Sequence, residues 1–217
     1  MISDLTTFNI ISFLLIFFIG LPHGSFDGAV AALVGFRSKT QFLKFIIYYL
    51  LLFFFVILFW IYFPIVCLII FITMTIAHFG ICDWANFKIK KHKYLVSFTY
   101  GMTVIFGIIF FNEDQSFIIF KYLTNHNIYY LKNYLFITYF LTFLSIISFV
   151  CLSFIEKKLR KGVIEIICLL FIFYIFDPLL SFAIYFCFFH TYKHLKHLIN
   201  NIYLVLPNKL FVIYSTT

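Results

Sequence analysis

Charge is what this 217-residue chain has least of. Asp, Glu, Lys and Arg together make up 11% of it, and only eight residues are acidic. A soluble domain carries about a quarter charged residues. With 64% hydrophobic residues, a soluble fold of this length has too little interior to hide the Phe, Ile and Leu, so the natural solvent is lipid. Proline and glycine are also scarce, at four and eight. No linker, internal repeat or low-complexity stretch divides the chain, and a single membrane-embedded domain over residues 1–217 is expected. The five cysteines (Cys67, Cys82, Cys151, Cys168, Cys187) contain no C-x-x-C pair, which argues against a thiolate metal site and for reduced, structural thiols. The first apolar run lacks a basic leading segment and an A-x-A-like site, so it does not read as a cleavable signal.

What is abundant is apolar and aromatic, with 35 Phe and 15 Tyr. Most of these read as a lipid-facing surface, and a minority could line an apolar ligand pocket. A run of about 20 apolar residues crosses roughly 30 Å of hydrocarbon as an α-helix. Such runs occupy 43–62, 64–86, 94–111, 133–155 and 178–199, with a shorter one at 162–176. Residues 6–36 are apolar for longer than one span, and Gly20, Pro22, Gly24 and Gly28 interrupt them. They predict a broken or kinked helix. Residues 117–131 contain Lys121, Asn125, His126 and Asn127 and predict an interfacial segment. The tail, 202–215, is interrupted by Pro207-Asn208-Lys209. The fold class is therefore an all-α, polytopic membrane bundle with about seven or eight spans.

Thirteen of the sixteen basic residues fall in four clusters: Arg37, Lys39 and Lys44; Lys88, Lys90, Lys91 and Lys93; Lys157, Lys158, Arg160 and Lys161; Lys193 and Lys196. All four lie on one side if the N-terminus is outside and 117–131 does not cross. The opposite connectors carry Glu113, Asp114 and Asp177. Lys and Arg accumulate in cytoplasmic loops, so a multi-pass protein of the inner (plasma) membrane is expected, and the net charge of +8 needs no nucleic-acid partner. Reporter fusions at residues 90 and 114 are expected to report opposite sides of the membrane; the same side for both would overturn this topology.

Of the seven histidines, His92 and His126 lie in connectors and read as solvated. His23, His78, His190, His194 and His197 lie within apolar segments, where a polar side chain is costly and needs a partner. A lone buried histidine is ordinarily satisfied by a hydrogen bond to a neighbouring helix. Here, however, His78 is about 21 Å and His190 about 18 Å below the outer boundary, counting 1.5 Å per residue from Pro64 and Pro178. His194 follows at about 24 Å, and His23 lies about 25 Å from residue 6. Independent structural histidines have no reason to share a layer. His190 and His194 are also an i,i+4 pair, with both rings on one helix face, a bidentate metal-binding spacing. His197 shares that face nearer the membrane exit and reads as outside the ligand set, with a ligand role left open. Asp27, four residues after His23, and Asp83, five after His78, suit carboxylates that accept the second N–H of a ligating imidazole; Asp83 could instead be an interfacial helix-end residue. Glu165 and Asp177 sit at span edges with no histidine near them in sequence.

Neutral imidazoles suit zinc, copper, iron and nickel. Four of them without a carboxylate would leave iron(II) cationic, with positions open to dioxygen. A Phe- and Leu-lined pocket would admit a lipid-soluble substrate. A histidine-based proton-relay transporter and a bis-histidine haem electron carrier are the alternatives. A membrane di-iron hydroxylase would need more histidines, in H-x-x-H-H clusters, and this chain has no His-His pair.

The blocks Leu21-Pro22-His23-Gly24-Ser25-Phe26-Asp27, His78-Phe79-Gly80-x-x-Asp83 and Tyr185-Phe186-x-x-x-His190-x-x-x-His194 resemble those of the bacterial membrane β-carotene 15,15′-dioxygenase family, also called Brp/Blh. The likeness extends over most of the chain. It implies iron-dependent cleavage of the central double bond of β-carotene by dioxygen into two retinal molecules. It further implies that His23, His78, His190 and His194 are the iron(II) ligands and that the product feeds a retinal-binding rhodopsin. Thr191 and Lys193 stand where the family block tends to have Ser and Arg, and Lys cannot make the planar bidentate contact of Arg.

Overall fold

The structure, a computed structural model, describes residues 7–20, 27–36, 38–84 and 92–197. Among them there is helix and no strand. The helices are α1 (Thr7–Leu15), α2 (Asp27–Leu33), α3 (Lys39–Tyr62), α4 (Pro64–Asp83), α5 (Lys93–Phe111), α6 (Glu113–Thr124), α7 (Lys132–Ile155), α8 (Arg160–Ile175) and α9 (Pro178–Ile184). α1 passes directly into a π-helical turn, Ile16–Gly20. α9 does the same at Tyr185–His190, and residues 191–197 continue as α-helix.

Local chemistry explains where the helices begin. Ser38 and Gln41 form a reciprocal capping box at the start of α3, which satisfies two otherwise unpaired N–H groups. Pro64 occupies the first turn of α4, where its missing N–H costs nothing. Asp177 caps α9, its Oδ1 accepting from the backbone N–H of Leu179 and of Leu180, each at 3.0 Å. α6 ends at Asn125 with φ 55°, a left-handed conformation that Asn tolerates.

Among the described residues, four helical segments are long and apolar enough to cross a membrane: α3, α4, α5 and Tyr129–Ile155. They match the expected spans at 43–62, 64–86, 94–111 and 133–155. The expected spans at 162–176 and 178–199 correspond to α8 and to α9 with its continuation. The π turn is described as far as Gly20 and α2 from Asp27, and most of the break expected within 6–36 falls at 21–26, outside the described residues. Pro22, Gly24 and the tail 202–215 lie outside the described residues. The expected interfacial segment is α6 followed by a 3-10 turn, Tyr129–Leu131. Its ends are joined by Lys132 Nζ, 3.0 Å from Glu113 and 2.6 Å from Asp114.

α5 is the axis of the bundle. In its most apolar stretch 67% of residues are buried, against 0% for α3, so α5 packs against protein while α3 presents its Phe and Leu outward. The core joins Phe79, Tyr100, Phe149, Phe173 and Tyr185 from five segments. α4 and α5 meet backbone to backbone. A Cβ on Gly80 would lie 2.0 Å from the Ser97 carbonyl oxygen, and one on Gly101 would lie 2.0 Å from that of Ile76. Only glycine permits this approach, the device by which helices pack closely in lipid. Side-chain hydrogen bonds reinforce it elsewhere: Asn112 Nδ2 donates to the Phe173 and Phe176 carbonyls at 2.9 and 3.2 Å, tying the ends of α5 and α8.

Candidate functional site

The close α4–α5 seam fixes α4, and α4 carries His78 and, at its last residue, Asp83. The continuation of α9 lies against it. The ring centroid of His78 is 5.1 Å from that of His190 and 6.2 Å from that of His194, and His190 and His194 are 5.8 Å apart. Three of the four expected histidines thus form one cluster, drawn from two helices about a hundred residues apart in sequence. The i,i+4 pair lies as the spacing requires, its rings 21° from parallel. His190 is fully buried, His194 half-buried and His78 exposed, so the cluster is closed behind His190 and open beside His78.

A buried carboxylate orients the innermost ring. Asp83 is 1% exposed; its Oδ1 lies 2.7 Å from His190 Nδ1, and its Oδ2 accepts the Tyr185 hydroxyl at 2.8 Å. With both oxygens engaged, Asp83 holds the imidazole with Nδ1 toward α4 and Nε2 away from it. Asp83 thus ends α4 inside the protein, with its carboxylate turned to a histidine. Its histidine is His190, not the His78 that precedes it on α4. His78 Nδ1 instead lies 3.6 Å from Cys82 Sγ. Phe79, with its centroid 4.7 Å from that of His190, and Phe186, stacked on His190 at 5.7 Å and 15°, wall the site against water.

His190 ends the π turn. A π turn inserts one residue into an α-helix and recurs at functional sites; no periodicity in the sequence announced it. The first π turn packs beside it. A Cβ on Gly20 would come 2.5 Å from the Phe186 ring, and Cys187 Sγ donates to the Leu15 carbonyl at 3.3 Å.

His23 lies outside the described residues. Asp27, in the first turn of α2, is exposed, and its Oδ2 accepts the Tyr49 hydroxyl from α3 at 3.2 Å. His92 and His126 are exposed, as expected of connector residues, and His197 is half-buried at the end of the last described helix.

A second polar cluster adjoins the first. Glu165 of α8, dismissed in the sequence as a span-edge acid, pairs with Lys193 and accepts the Tyr100 hydroxyl of α5. Lys193 Nζ is also 3.3 Å from the Tyr100 oxygen and 4.8 Å from its ring centroid. In the sequence Glu165 is a lone acid in the apolar segment 162–176, and nothing there pairs it with Lys193.

The donor chemistry suits a borderline transition metal: clustered neutral imidazoles, one backed by a carboxylate. Among the described residues no three His, Cys, Asp or Glu side chains converge as a finished metal site. A cavity of about 790 Å³ lies between α4, α5, α6 and α7, and no histidine lines it. Ile69, Ile72, Thr73 and Ile76, which do line it, lie within about 60° of the helix face opposite His78 at 100° per residue. It is a separate lipid-side groove.

A helical bundle built for lipid, with a cluster of imidazoles held by a buried carboxylate, defines a membrane histidine-cluster protein. The family model described as "Beta-carotene 15,15'-dioxygenase" matches residues 14–211, and the chain belongs to that family. It is 30% identical over 185 residues to a protein named beta-carotene 15,15'-dioxygenase from uncultured marine bacterium 66A03, covering 83% of this chain and 66% of the relative. The match therefore spans slightly less than two thirds of the relative's length. No solved structure matches the chain.

Proposed function

We propose that the chain cleaves β-carotene at its central 15,15′ double bond with dioxygen, giving two retinal molecules. In this reading it is a non-haem iron(II) enzyme of the inner membrane, with its N-terminus outside and residues 1–217 acting as one catalytic domain. The observation that carries the reading is the meeting of His78, His190 and His194 within 5.1–6.2 Å in a chain of this family. His23, His78, His190 and His194 would hold the iron. Bound there, iron(II) would supply a redox-active centre with positions open to dioxygen.

The rest is done by the protein. Asp83 accepts the Nδ1 proton of His190 and so leaves Nε2 as the ligating atom, and Tyr185 holds Asp83 in turn. Asp27 would serve His23 in the same way. Phe79 and Phe186 keep water from the buried side of the cluster. The open side at His78 suits a substrate that arrives through lipid, as a hydrocarbon polyene must. The retinal released would be available to a retinal-binding rhodopsin in the same membrane.

Expression in a carotene-producing cell tests this. Loss of orange colour with retinal appearing on chromatography is the expected result. Unchanged β-carotene with no retinal, despite chain present in the membrane, would overturn it.

A further inference from the structure

His190 ends the π turn and His194 lies one α-helical turn past it, so the wider turn enters into the rotation of the pair relative to Pro178. Contacts from neighbouring helices hold that rotation from two sides. On one side Asp83 of α4 grips His190. On the other, Lys193, three residues after His190 and one before His194, reaches Glu165 of α8 and Tyr100 of α5. Glu165 and Lys193 are only 19% and 17% exposed, and Tyr100 is 0% exposed. A largely buried charge pair is a poor source of stability, because desolvation offsets most of the attraction, and its role is better sought in the one arrangement of helices that its directed contact favours. The backbone also cannot rotate at Lys193 without turning both neighbouring imidazoles.

We propose that Glu165 and Lys193, with Tyr100, are positioning residues for the metal site: the ion pair from α8 sets the rotation at which His190 and His194 face His78. This rests on the metal reading above and goes beyond it. A Lys is sufficient here because a single carboxylate oxygen of Glu165 meets both Lys193 and the Tyr100 hydroxyl, a point contact that needs no planar fork.

The test separates positioning from stability. The full chain, purified in detergent, is assayed for iron(II) affinity, and the iron-free protein for its thermal midpoint. Lys193→Met strands the Glu165 charge and is expected to lower both. Lys193→Arg, which keeps the charge, is expected to recover the affinity that Lys193→Met loses. In the double variant Glu165→Gln/Lys193→Met no charge is left stranded, so the midpoint returns to near that of the native chain. Its iron affinity is expected to stay roughly 10-fold weak, at the lower end of losses from outer contacts to ligands. Native iron affinity in the double variant would overturn the proposal and leave the pair a purely structural feature. Should the double variant not fold, the isosteric Glu165→Gln decides alone, and native affinity there overturns the proposal equally. His190→Ala serves as the control: if it keeps its iron the metal reading itself fails, whereas if it loses iron while the charge variants keep theirs, only the positioning role fails.

Discussion

His190→Ala is expected to abolish both iron retention and retinal formation, and His78→Ala and His194→Ala to do the same. The three rings form the cluster, and loss of one imidazole leaves the remaining donors too few to hold a divalent ion against water. His190 should be the most severe of the three. It is fully buried, so Ala leaves a cavity as well as a missing donor, and it leaves the buried Asp83 carboxylate without its imidazole partner. Breaking a buried charged contact from one side costs about 3–5 kcal/mol. His92→Ala and His126→Ala, both exposed, should keep native iron content. Iron per chain and retinal yield, measured on the same purified variants, check this. Full activity in any of the three cluster variants would remove that residue from the ligand set.

Replacing Asp83 by Asn should weaken iron binding by roughly 10–100-fold, the usual loss when the group orienting a ligand imidazole is removed. The substitution keeps the volume of the side chain in a site with no space to spare. It removes the charge that favours an Nδ1–H on His190, and it can present an amide N–H to that nitrogen instead. His190 would then carry its proton on Nε2, the atom needed for the metal. Tyr185→Phe should act in the same direction but more weakly, because it frees one Asp83 oxygen and leaves the 2.7 Å contact to His190 in place. Iron titration of the two variants checks the order. Asn at position 83 with native affinity would remove Asp83 from this role.

The long helices and their order were legible because a span must be about 20 apolar residues long, a length that placed the expected runs 43–62 and 133–155 within α3 and α7. The meeting of His78 with His190 and His194 was legible for the same reason: position along a straight helix is counted in residues, and 14 past Pro64 and 12 past Pro178 bring His78 and His190 to adjoining levels. Azimuth is not counted that way. Which carboxylate faces which ring depends on how helices rotate against one another, so Asp83, near His78 in sequence, meets His190 across 107 residues. Glu165 was unreadable for the same reason, since its partner Lys193 is on a different helix. Asp27 was read as belonging to His23 by i+4 spacing, and its described partner is Tyr49 of α3.

The π turn at Tyr185–His190 carries one residue more than an α-helix of the same rise, which is the footprint of a single-codon insertion. The turn absorbs that residue, so deleting one residue between 185 and 189 would leave a plain α-helix on which the histidine pair keeps nearly its present heading. The slack is thereby already used. One further residue inserted in the plain α-helix at 179–184 would swing His190 and His194 by about 100° relative to Pro178. Hydropathy and helix length would barely register the change. In this fold an in-frame insertion of one amino acid in a mostly apolar stretch is therefore as damaging as losing a histidine, and no ranking of substitutions by side-chain chemistry would flag it.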